Sequence, residues 1–390
     1  MSTLDYPVFD ADQHLYEVPD SLLRHLPDQF AGAVKFVHEG KKARIAIQGK
    51  ITEYMPNPTF ERVAAPGAHE IYYSAHNTEG KTLRELSGVP IEPTPAMREA
   101  QARVELLDEQ GLEGALVYPT LANLVEHSAQ EDPDLVHAII HSLNQWLYEE
   151  WGFHHQKRVV LTPVITLAIV EDAIKELEWV MERGAKAILV RPAPTRGLRG
   201  FRSPALPEFD PFWSLVEQSG LPVTMHASQP PLDDYASLWE PQKTNSAFAL
   251  SAFKLMTLGH RDIVDMVTSL ICHGTLTRFP KLRIASIENG SNWVAPLFEE
   301  FELTHGKMPQ AFDEHPHDVF RRNIWINPFW EGDVAKLAEL IGEDKVIFGS
   351  DWPHPEGMAN PLDYVKYLDG VSPEVQRKVM HDNVHTFLGF

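Results

Sequence analysis

The 390-residue sequence is poor in cysteine and in basic residues, and each shortage argues against a class of protein. Cys272 is the only cysteine, so an intrachain disulfide is impossible and a reducing compartment suits the chain. Lys and Arg number 34 against 55 Asp and Glu, which gives a net charge of −21. This balance argues against a nucleic-acid-binding protein, because phosphate binding requires clustered basic side chains.

Long apolar runs and a leader pattern are also missing. No apolar run approaches the ~20 residues that a helix needs to cross a bilayer. Residues 1–10 lack a basic segment followed by an apolar one, so they do not resemble a secretory signal. We therefore expect a soluble, cytoplasmic protein that binds neither nucleic acid nor a membrane.

Apolar residues and histidines, in contrast, are plentiful. The apolar fraction of 43% is enough for a large packed core. The sequence has 19 histidines, and histidine is both the commonest metal ligand and the side chain that titrates near neutrality. The search for a functional site therefore begins with the histidines that follow a strand.

Eight β-rich runs alternate with helical patterns along the chain. Most of them are continuous apolar stretches, which are typical of parallel strands buried on both faces. The runs are Val8–His14, Gly114–Thr120, Val159–Ile165, Ala185–Pro192, Pro222–Ser228, Leu282–Glu288, Ile324–Phe329 and Val346–Asp351.

Helical stretches that end at glycine separate these runs. Examples are 98–110, 170–183 and 211–219, each followed by a glycine and then by a strand. Repeated strand–helix units with right-handed crossovers form either a closed barrel or an open doubly wound sheet. Eight units without a Gly-x-Gly-x-x-Gly motif favour a (β/α)₈ barrel, so we predict an α/β protein with a single domain over residues 1–390.

Residues 31–95 interrupt the alternation. Val34–His38 and Ala43–Gln48, on either side of Glu39–Lys42, have the pattern of a β-hairpin. We predict that 31–95 is an insertion after the first strand, on the catalytic face of the barrel. It could serve as a lid, as an arm in a dimer, or as a decoration without a role in catalysis.

Ligand-type side chains stand at the ends of the first, fifth and eighth runs. Asp10, Asp12 and His14 share one face of the first strand, because alternate residues of a strand point the same way. His226 ends the fifth run and Asp351 ends the eighth. Reactive groups of (β/α)₈ enzymes lie at the carboxyl ends of strands, so these side chains are expected to meet.

Buried ionisable groups in such a set are very costly unless a cation or partner charges compensate them. Two carboxylates and two imidazoles suit Zn²⁺, with Mn²⁺ or Fe²⁺ as alternatives for a set rich in oxygen. We expect Asp12, His14, His226 and Asp351 to hold one divalent ion, whereas Asp10, one step deeper, should be a hydrogen-bond acceptor. The alternative is a hydrogen-bonded polar layer without an ion.

The order and spacing of several motifs resemble the amidohydrolase superfamily, and more narrowly its aminocarboxymuconate-semialdehyde decarboxylase-like branch. These motifs are Asp12-x-His14, the lone His226, Gly349–His354, Asp210–Trp213 and Arg278–Arg283. The similarity covers nearly the whole chain apart from the insertion. It implies a metal-dependent decarboxylase or hydrolase of a small molecule, with one divalent ion and often as a homodimer. The family's metal ligands fall on Asp12, His14, His226 and Asp351.

Two positions depart from the commonest family pattern. Position 12 is histidine in many members, and the aspartate here is similar to some aromatic acid decarboxylases of the branch. The sixth run ends with Glu288 where many members have a His-Gly-Gly element. A carboxylate beside the ion can transfer protons if its pKa is raised, so Glu288 is predicted to be either a catalytic group or a polar anchor.

Other charged residues near the strand ends are candidates for substrate contact. Arg191 ends the fourth run and could bind a substrate carboxylate in two-pronged fashion or neutralise nearby acids. His354 matches the family's Ser-Asp-x-Pro-His element, and Glu17 matches a His-x-x-Glu pattern of unclear role. His273 is predicted to end a helix away from the ion.

These residues favour non-oxidative decarboxylation of a small cyclic or aromatic acid. Asp12 and Arg191 argue for that reaction, whereas Glu288 would repel a substrate carboxylate unless it is protonated. The alternative is hydrolysis of an amide, ester or lactone by metal-activated water, with Asp351 or Glu288 transferring the proton. A second alternative is an inactive barrel that binds a metal or another ligand.

Overall fold

The computed structural model describes residues 4–40, 42–229, 233–240, 251–330 and 333–390. Within these ranges the strands are β1 Phe9–Leu15, β2 Val34–Glu39, β3 Lys42–Ile47, β4 Lys50–Thr52, β5 Gly114–Pro119, β6 His154–His155, β7 Val159–Leu161, β8 Ile188–Leu189, β9 Thr195–Gly197, β10 Gly200–Arg202, β11 Val223–His226, β12 Ile284–Ile287 and β13 Ile324–Ile326.

The α-helices occupy most of the intervals between these strands. They are α1 Glu70–Tyr73, α2 Leu83–Leu86, α3 Ala100–Gln110, α4 Ala122–Ser128, α5 Pro133–Glu150, α6 Val170–Glu182, α7 Asp210–Ser219, α8 Asp233–Ser237, α9 Ala252–Leu258, α10 Arg261–Cys272, α11 Thr275–Arg278, α12 Val294–Lys307, α13 Pro316–Asn323, α14 Val334–Ile341, α15 Pro373–Arg377 and α16 Asn383–Leu388. A π-helical segment, Lys378–Asp382, leads into α16.

The central strands pair in parallel in two sheets. One sheet has the order β1-β5-β7 with the short β6 added antiparallel, and the other has the order β13-β12-β11-β8. A parallel bridge between Val164 and Leu189 links the two sheets on one side. The strand order therefore follows the chain order, as the repeated strand–helix units predict.

The eighth run differs from the prediction, because residues 346–351 form no continuous strand. They nevertheless run between β13 and β1. The amide of Ile347 donates to the carbonyl of Ile326 at 2.9 Å, and the amide of Asp351 donates to the carbonyl of Asp12 at 2.8 Å. The segment thus links the free edges of the two sheets without a regular ladder.

The helices pack on the strands through one large buried core. The predicted helix ends are confirmed at Gly111 and Gly220, which have φ values of 72° and 69° and so accommodate the left-handed turn that ends α3 and α7. None of the described helices combines the length and apolar character needed to cross a bilayer.

The predicted hairpin within 31–95 is confirmed. β2 and β3 pair antiparallel, with Val34 opposite Ile47, and β4 adds a third strand that the sequence pattern did not indicate. Later residues of the same segment contact the loop after Asp351. The amide of Gly67 lies 3.3 Å from the carbonyl of His354, and that of His69 lies 2.7 Å from the carbonyl of Pro355.

Candidate metal centre

The first strand carries two acidic residues with different surroundings. Asp10 accepts hydrogen bonds from Ser350 Oγ at 2.6 Å, from the Ser350 amide at 2.9 Å and from Gln13 Nε2 at 3.0 Å. Asp12 is equally buried, but its carboxylate oxygens have no hydrogen-bond partner among the described residues. Asp10 is therefore a buried acceptor, as expected from the sequence, whereas Asp12 is free to bind a cation.

The side chains predicted to be ligands fall into two groups that share His14. Ligand atoms of Asp12, His14 and His226 lie within 4.8 Å of one another, and so do those of His14, Glu288, Asp351 and His354. Nε2 of His14 and Nε2 of His226 lie 2.9 Å apart, and Asp12 Oδ1 lies 3.6 Å from each. Asp351 Oδ1 lies 3.5 Å from Nε2 of His14. Ligand atoms at 2.0–2.2 Å from a tetrahedral Zn²⁺ would be separated by roughly 3.4 Å. The separations among Asp12, His14 and His226, and that between His14 and Asp351, are close to this value.

The electrostatics of the cluster also favour a cation. Both oxygens of Asp351, like those of Asp12, are buried without a well-formed hydrogen bond in the described part of the chain, although Nδ1 of His354 lies 2.8 Å from Asp351 Oδ1. Burial raises the pKa of Asp12 to about 6, although His226 opposes the shift, and burial raises the pKa of Asp351 well above its usual range. Two buried carboxylates without well-formed hydrogen bonds are costly, and a divalent ion would supply the missing positive charge.

Glu288 joins this cluster from the end of β12. Its Oε2 lies 3.0 Å from Nε2 of His226, and its side chain is 16% exposed. Burial would lower the pKa of His226, but attraction to Glu288 and Asp12 raises it to about 10. Glu288 has a φ of 55°, a conformation that costs of order 1–3 kcal/mol in a non-glycine residue and is concentrated at functional sites.

His354 forms one wall of the cluster. Its Nδ1 lies 2.8 Å from Asp351 Oδ1, its Nε2 lies 3.1 Å from Thr120 Oγ1, and its ring stacks on His14 with 3.9 Å between centroids. Burial lowers its pKa to about 3, and the nearby His226 adds to the shift. His354 is therefore a neutral imidazole that lies against the ion site.

Arg191 does not belong to either group of ligand atoms. Its Nη2 donates to the carbonyl of Gln229 at 2.6 Å, and its Nε is buried without a partner in the described residues. Burial raises the pKa of Asp262 to about 7 and also raises that of Glu126, whereas the charge of Arg191 opposes both shifts. Arg191 thus lies beside two acids and keeps one donor for another acceptor.

Glu17 and His273 are not part of the cluster. Glu17 is buried, and its Oε1 accepts from the amide of Leu121 at 2.7 Å. Burial raises its pKa to about 8. His273 ends α10, and its Nδ1 lies 3.0 Å from the carbonyl of Ser269, which confirms the predicted helix-end position.

Three residues near the cluster were not found by sequence reasoning. Tyr54 and Tyr73 come from the 31–95 segment; burial raises both pKa values, and Glu288 and Glu356 add to the shifts. Arg103 in α3 is fully buried, and its Nη2 donates to the carbonyl of His14 at 2.6 Å. Their positions depend on how distant segments fold together, which strand-end patterns do not reveal.

Two solved protein structures resemble the fold of this chain. A solved amidohydrolase structure from Mycobacterium avium subsp. paratuberculosis is 36% identical, with a TM-score of 0.92 and 99% of both chains covered. A dihydroxybenzoic acid decarboxylase from a Polaromonas species, with bound manganese and the inhibitor 2-nitroresorcinol, is 20% identical with a TM-score of 0.54. That match covers 84% of this chain and 95% of the other.

A curated relative from Dictyostelium discoideum is 2-amino-3-carboxymuconate-6-semialdehyde decarboxylase. It is 24% identical over 135 residues, which span 32% of this chain and 35% of the relative. The amidohydrolase family model matches residues 10–390. Because that match covers nearly the whole chain, the protein is an enzyme of the amidohydrolase family.

Proposed function

We propose that this enzyme is a metal-dependent carboxy-lyase that removes the carboxyl group of a small cyclic or aromatic acid without oxidation. The observation that carries the proposal is the pair of buried, unpartnered carboxylates, Asp12 and Asp351, facing the Nε2 atoms of His14 and His226. The manganese-containing dihydroxybenzoic acid decarboxylase of similar fold supports the same reaction class. The proposed scaffold is a (β/α)₈ barrel, closed by the segment 346–351.

Asp12, His14, His226 and Asp351 would hold the ion, with Zn²⁺ as the first candidate and Mn²⁺ or Fe²⁺ as alternatives. The two carboxylates supply hard oxygen donors, which all three metals accept alongside imidazole. When bound, the ion supplies a Lewis acid that favours negative charge on substrate oxygens.

Glu288 is the proposed proton donor. Its carboxyl group lies beside His226, so a substrate at the ion would come within its reach. The bond between the ring and the carboxyl carbon breaks, the electron pair of that bond takes a proton at the ring carbon, and CO₂ leaves. Glu288 would deliver this proton to the ring carbon, since its carboxyl group lies 3.0 Å from Nε2 of His226. Asp351 is the second candidate for proton transfer.

The substrate would lie between the ion site and the 31–95 segment, which we propose is an insertion on the catalytic face. The buried Nε of Arg191 has no partner among the described residues and suits a carboxylate or phenolate oxygen. Tyr54 and Tyr73 supply aromatic surface near Glu288, and His354 supplies a neutral ring beside Asp351. These groups fit a flat, anionic small molecule. Assembly as a homodimer remains a proposal from family resemblance.

Hydrolysis of an amide, ester or lactone is the second candidate function. It is favoured by Glu288, because a carboxylate 3.0 Å from His226 adds negative charge where the substrate's own carboxylate would bind. A neutral ester or lactone would not meet this repulsion, and the same carboxylate could accept a proton from water.

The two reactions can be separated directly. Enzyme loaded with Zn²⁺ or Mn²⁺ would be incubated with hydroxybenzoate-type acids while CO₂ release is recorded, and in parallel with neutral esters, lactones and amides. We expect CO₂ release from at least one acid and its loss in His226→Ala, which should also lose the ion. Turnover of neutral esters or lactones alone would replace the decarboxylase proposal by the hydrolase.

A further inference from the structure

A second group of potential metal ligands lies at the opposite end of the strands. Glu113 immediately precedes β5, whereas His14 lies beside Tyr118 at the other end of that strand. At ~3.3 Å per residue, the two ends are roughly 15 Å apart. His381 and His385 approach Glu113 from the last helical segment of the chain. We call Glu113, His381 and His385 the lower cluster.

The geometry of the lower cluster is that of a small chelating site. Nε2 of His381 lies 3.1 Å from Glu113 Oε2, and Nε2 of His385 lies 3.3 Å from Glu113 Oε1. One ligand atom from each residue lies within 4.8 Å of the others. These separations are close to the roughly 3.4 Å expected between ligands of a tetrahedral Zn²⁺. The spacing of the two histidines, four residues apart, places both rings on one helical face.

The charges and lone pairs of the lower cluster favour a cation between the three side chains. Nδ1 of His381 lies 2.7 Å from Asp382 Oδ1, and Nε2 lies 3.1 Å from Glu113 Oε2. In the neutral tautomer with the proton on Nδ1, the Nε2 lone pair faces the carboxylate of Glu113 and is available to an ion. The two imidazole rings are 4.1 Å apart, which disfavours placing a positive charge on both. Nε2 of His385 is also buried without a hydrogen bond to any described residue. One divalent ion would satisfy all three ligand atoms at once.

We propose that Glu113, His381 and His385 bind a second divalent transition-metal ion, with Zn²⁺ as the best match. Each residue would supply one ligand atom, and water would complete the tetrahedron. Asp382 would hold the His381 ring through Nδ1, as carboxylates commonly do behind a metal-bound histidine. The ion would link the start of β5 to α16 and would have a structural role, independent of the proposed decarboxylation.

A third group of acidic and histidine residues provides a matched control. Glu302, His315 and His317 also bring three potential ligand atoms within 4.8 Å. However, Nδ1 of His315 accepts a hydrogen bond from the amide of His317 at 3.3 Å. In the neutral ring this leaves the proton on Nε2, the nitrogen that faces Glu302, so His315 lacks a free lone pair there. This group should bind the ion weakly or not at all.

The test counts bound ions. Chelator-treated protein would be titrated with Zn²⁺ alone by calorimetry, and the metal content would be measured after gel filtration. We expect His385→Gln and Glu113→Gln each to bind one ion per chain fewer than the unsubstituted protein, whereas His315→Gln should bind the same number. Because the Glu113 side chain is half-exposed, Glu113→Gln should fold normally. It therefore tests the site even if His385→Gln has a folding defect.

The test compares the number of ions bound per chain in the different variants. Its result therefore does not depend on the proposed function. Equal metal content in the unsubstituted protein and in both lower-cluster variants would overturn the proposal. It would mean that hydrogen bonds, without an ion, hold the three side chains together. Loss of one ion only in His315→Gln would overturn it as well. His226→Ala tests the other centre separately, and it should retain the ion of the lower cluster.

Discussion

Glu288 combines a strained backbone with a position beside the proposed ligands. A φ of 55° is unfavourable for glutamate, and the amide of the same residue donates to Asn327 Oδ1 at 3.2 Å. This bond helps to hold the backbone in the conformation that turns the carboxylate toward His226. Strain that the surrounding structure maintains at a reactive residue is consistent with a role in positioning a proton donor.

Replacement of Glu288 by glutamine would test this role. The amide keeps the size of the side chain but cannot deliver a proton, so we expect turnover to fall by about 10²–10⁴-fold. Metal content should be unchanged, because the four proposed ligands remain. Turnover and metal content would be measured on the same preparation.

A conservative variant gives the control. Glu288→Asp retains a carboxyl group, set back by one methylene, and should recover part of the activity lost in Glu288→Gln. Unchanged turnover in Glu288→Gln would instead identify the residue as a polar anchor.

At the residue scale, the sequence reveals the side chains that follow strands but not those brought in by tertiary contacts. Asp12, His14, His226 and Asp351 each lie at or near the carboxyl end of an apolar run, and their convergence follows from parallel pairing. Arg103 reaches the backbone of His14 from the first turn of α3, where no local pattern distinguishes it from a surface arginine. Its role depends on packing between α3 and β1.

At the scale of elements, the segment 346–357 is the least regular part of the site and holds Asp351. A Cβ atom added at Gly349 would lie 2.5 Å from Cβ of Asp12 and 3.0 Å from Nδ2 of Asn327. This close approach brings Asp351 next to β1 without a full ladder of hydrogen bonds. The sequence predicted an extended run here, but the irregular backbone results from contacts between segments more than 330 residues apart.

Gly349→Ala should therefore damage the site through the backbone. The added methyl group would displace Asp12 or the segment itself, at a cost of about 1–3 kcal/mol in the free energy of unfolding. We expect metal affinity to fall by roughly tenfold or more, because the support of a ligand is altered. Calorimetric titration with Zn²⁺ in the His385→Gln background would measure the effect at this centre alone.

Gly306→Ala is the matched control for this substitution. Gly306 lies in α12, where an added Cβ meets no atom within 4 Å. Alanine is a better helix former than glycine, so stability should rise by roughly 0.5–1 kcal/mol with metal affinity unchanged. Equal metal affinity in Gly349→Ala and Gly306→Ala would contradict the proposed contact between Gly349 and Asp12.

For the whole molecule, the proposed metal binding at Asp12, His14, His226 and Asp351 would couple to folding. These ligands come from three separate regions of the chain, so the unfolded protein cannot present them together, and the ion stabilises only the folded state. The unpartnered carboxylates of Asp12 and Asp351 add to this dependence, because they lose their compensating charge when the ion is removed.

Removal of the ion should lower the melting temperature measurably. With free metal at 1,000 times the dissociation constant, binding contributes about 4 kcal/mol. An unfolding entropy of roughly 2.1 cal/mol/K per residue gives about 0.8 kcal/mol/K for a chain of this length, so chelation should lower the midpoint by about 5 °C. Calorimetry on His385→Gln, with and without chelator, isolates this centre from the lower cluster. A midpoint that does not respond to chelation in this variant, but falls in the unsubstituted protein, would assign the stabilising ion to the lower cluster instead.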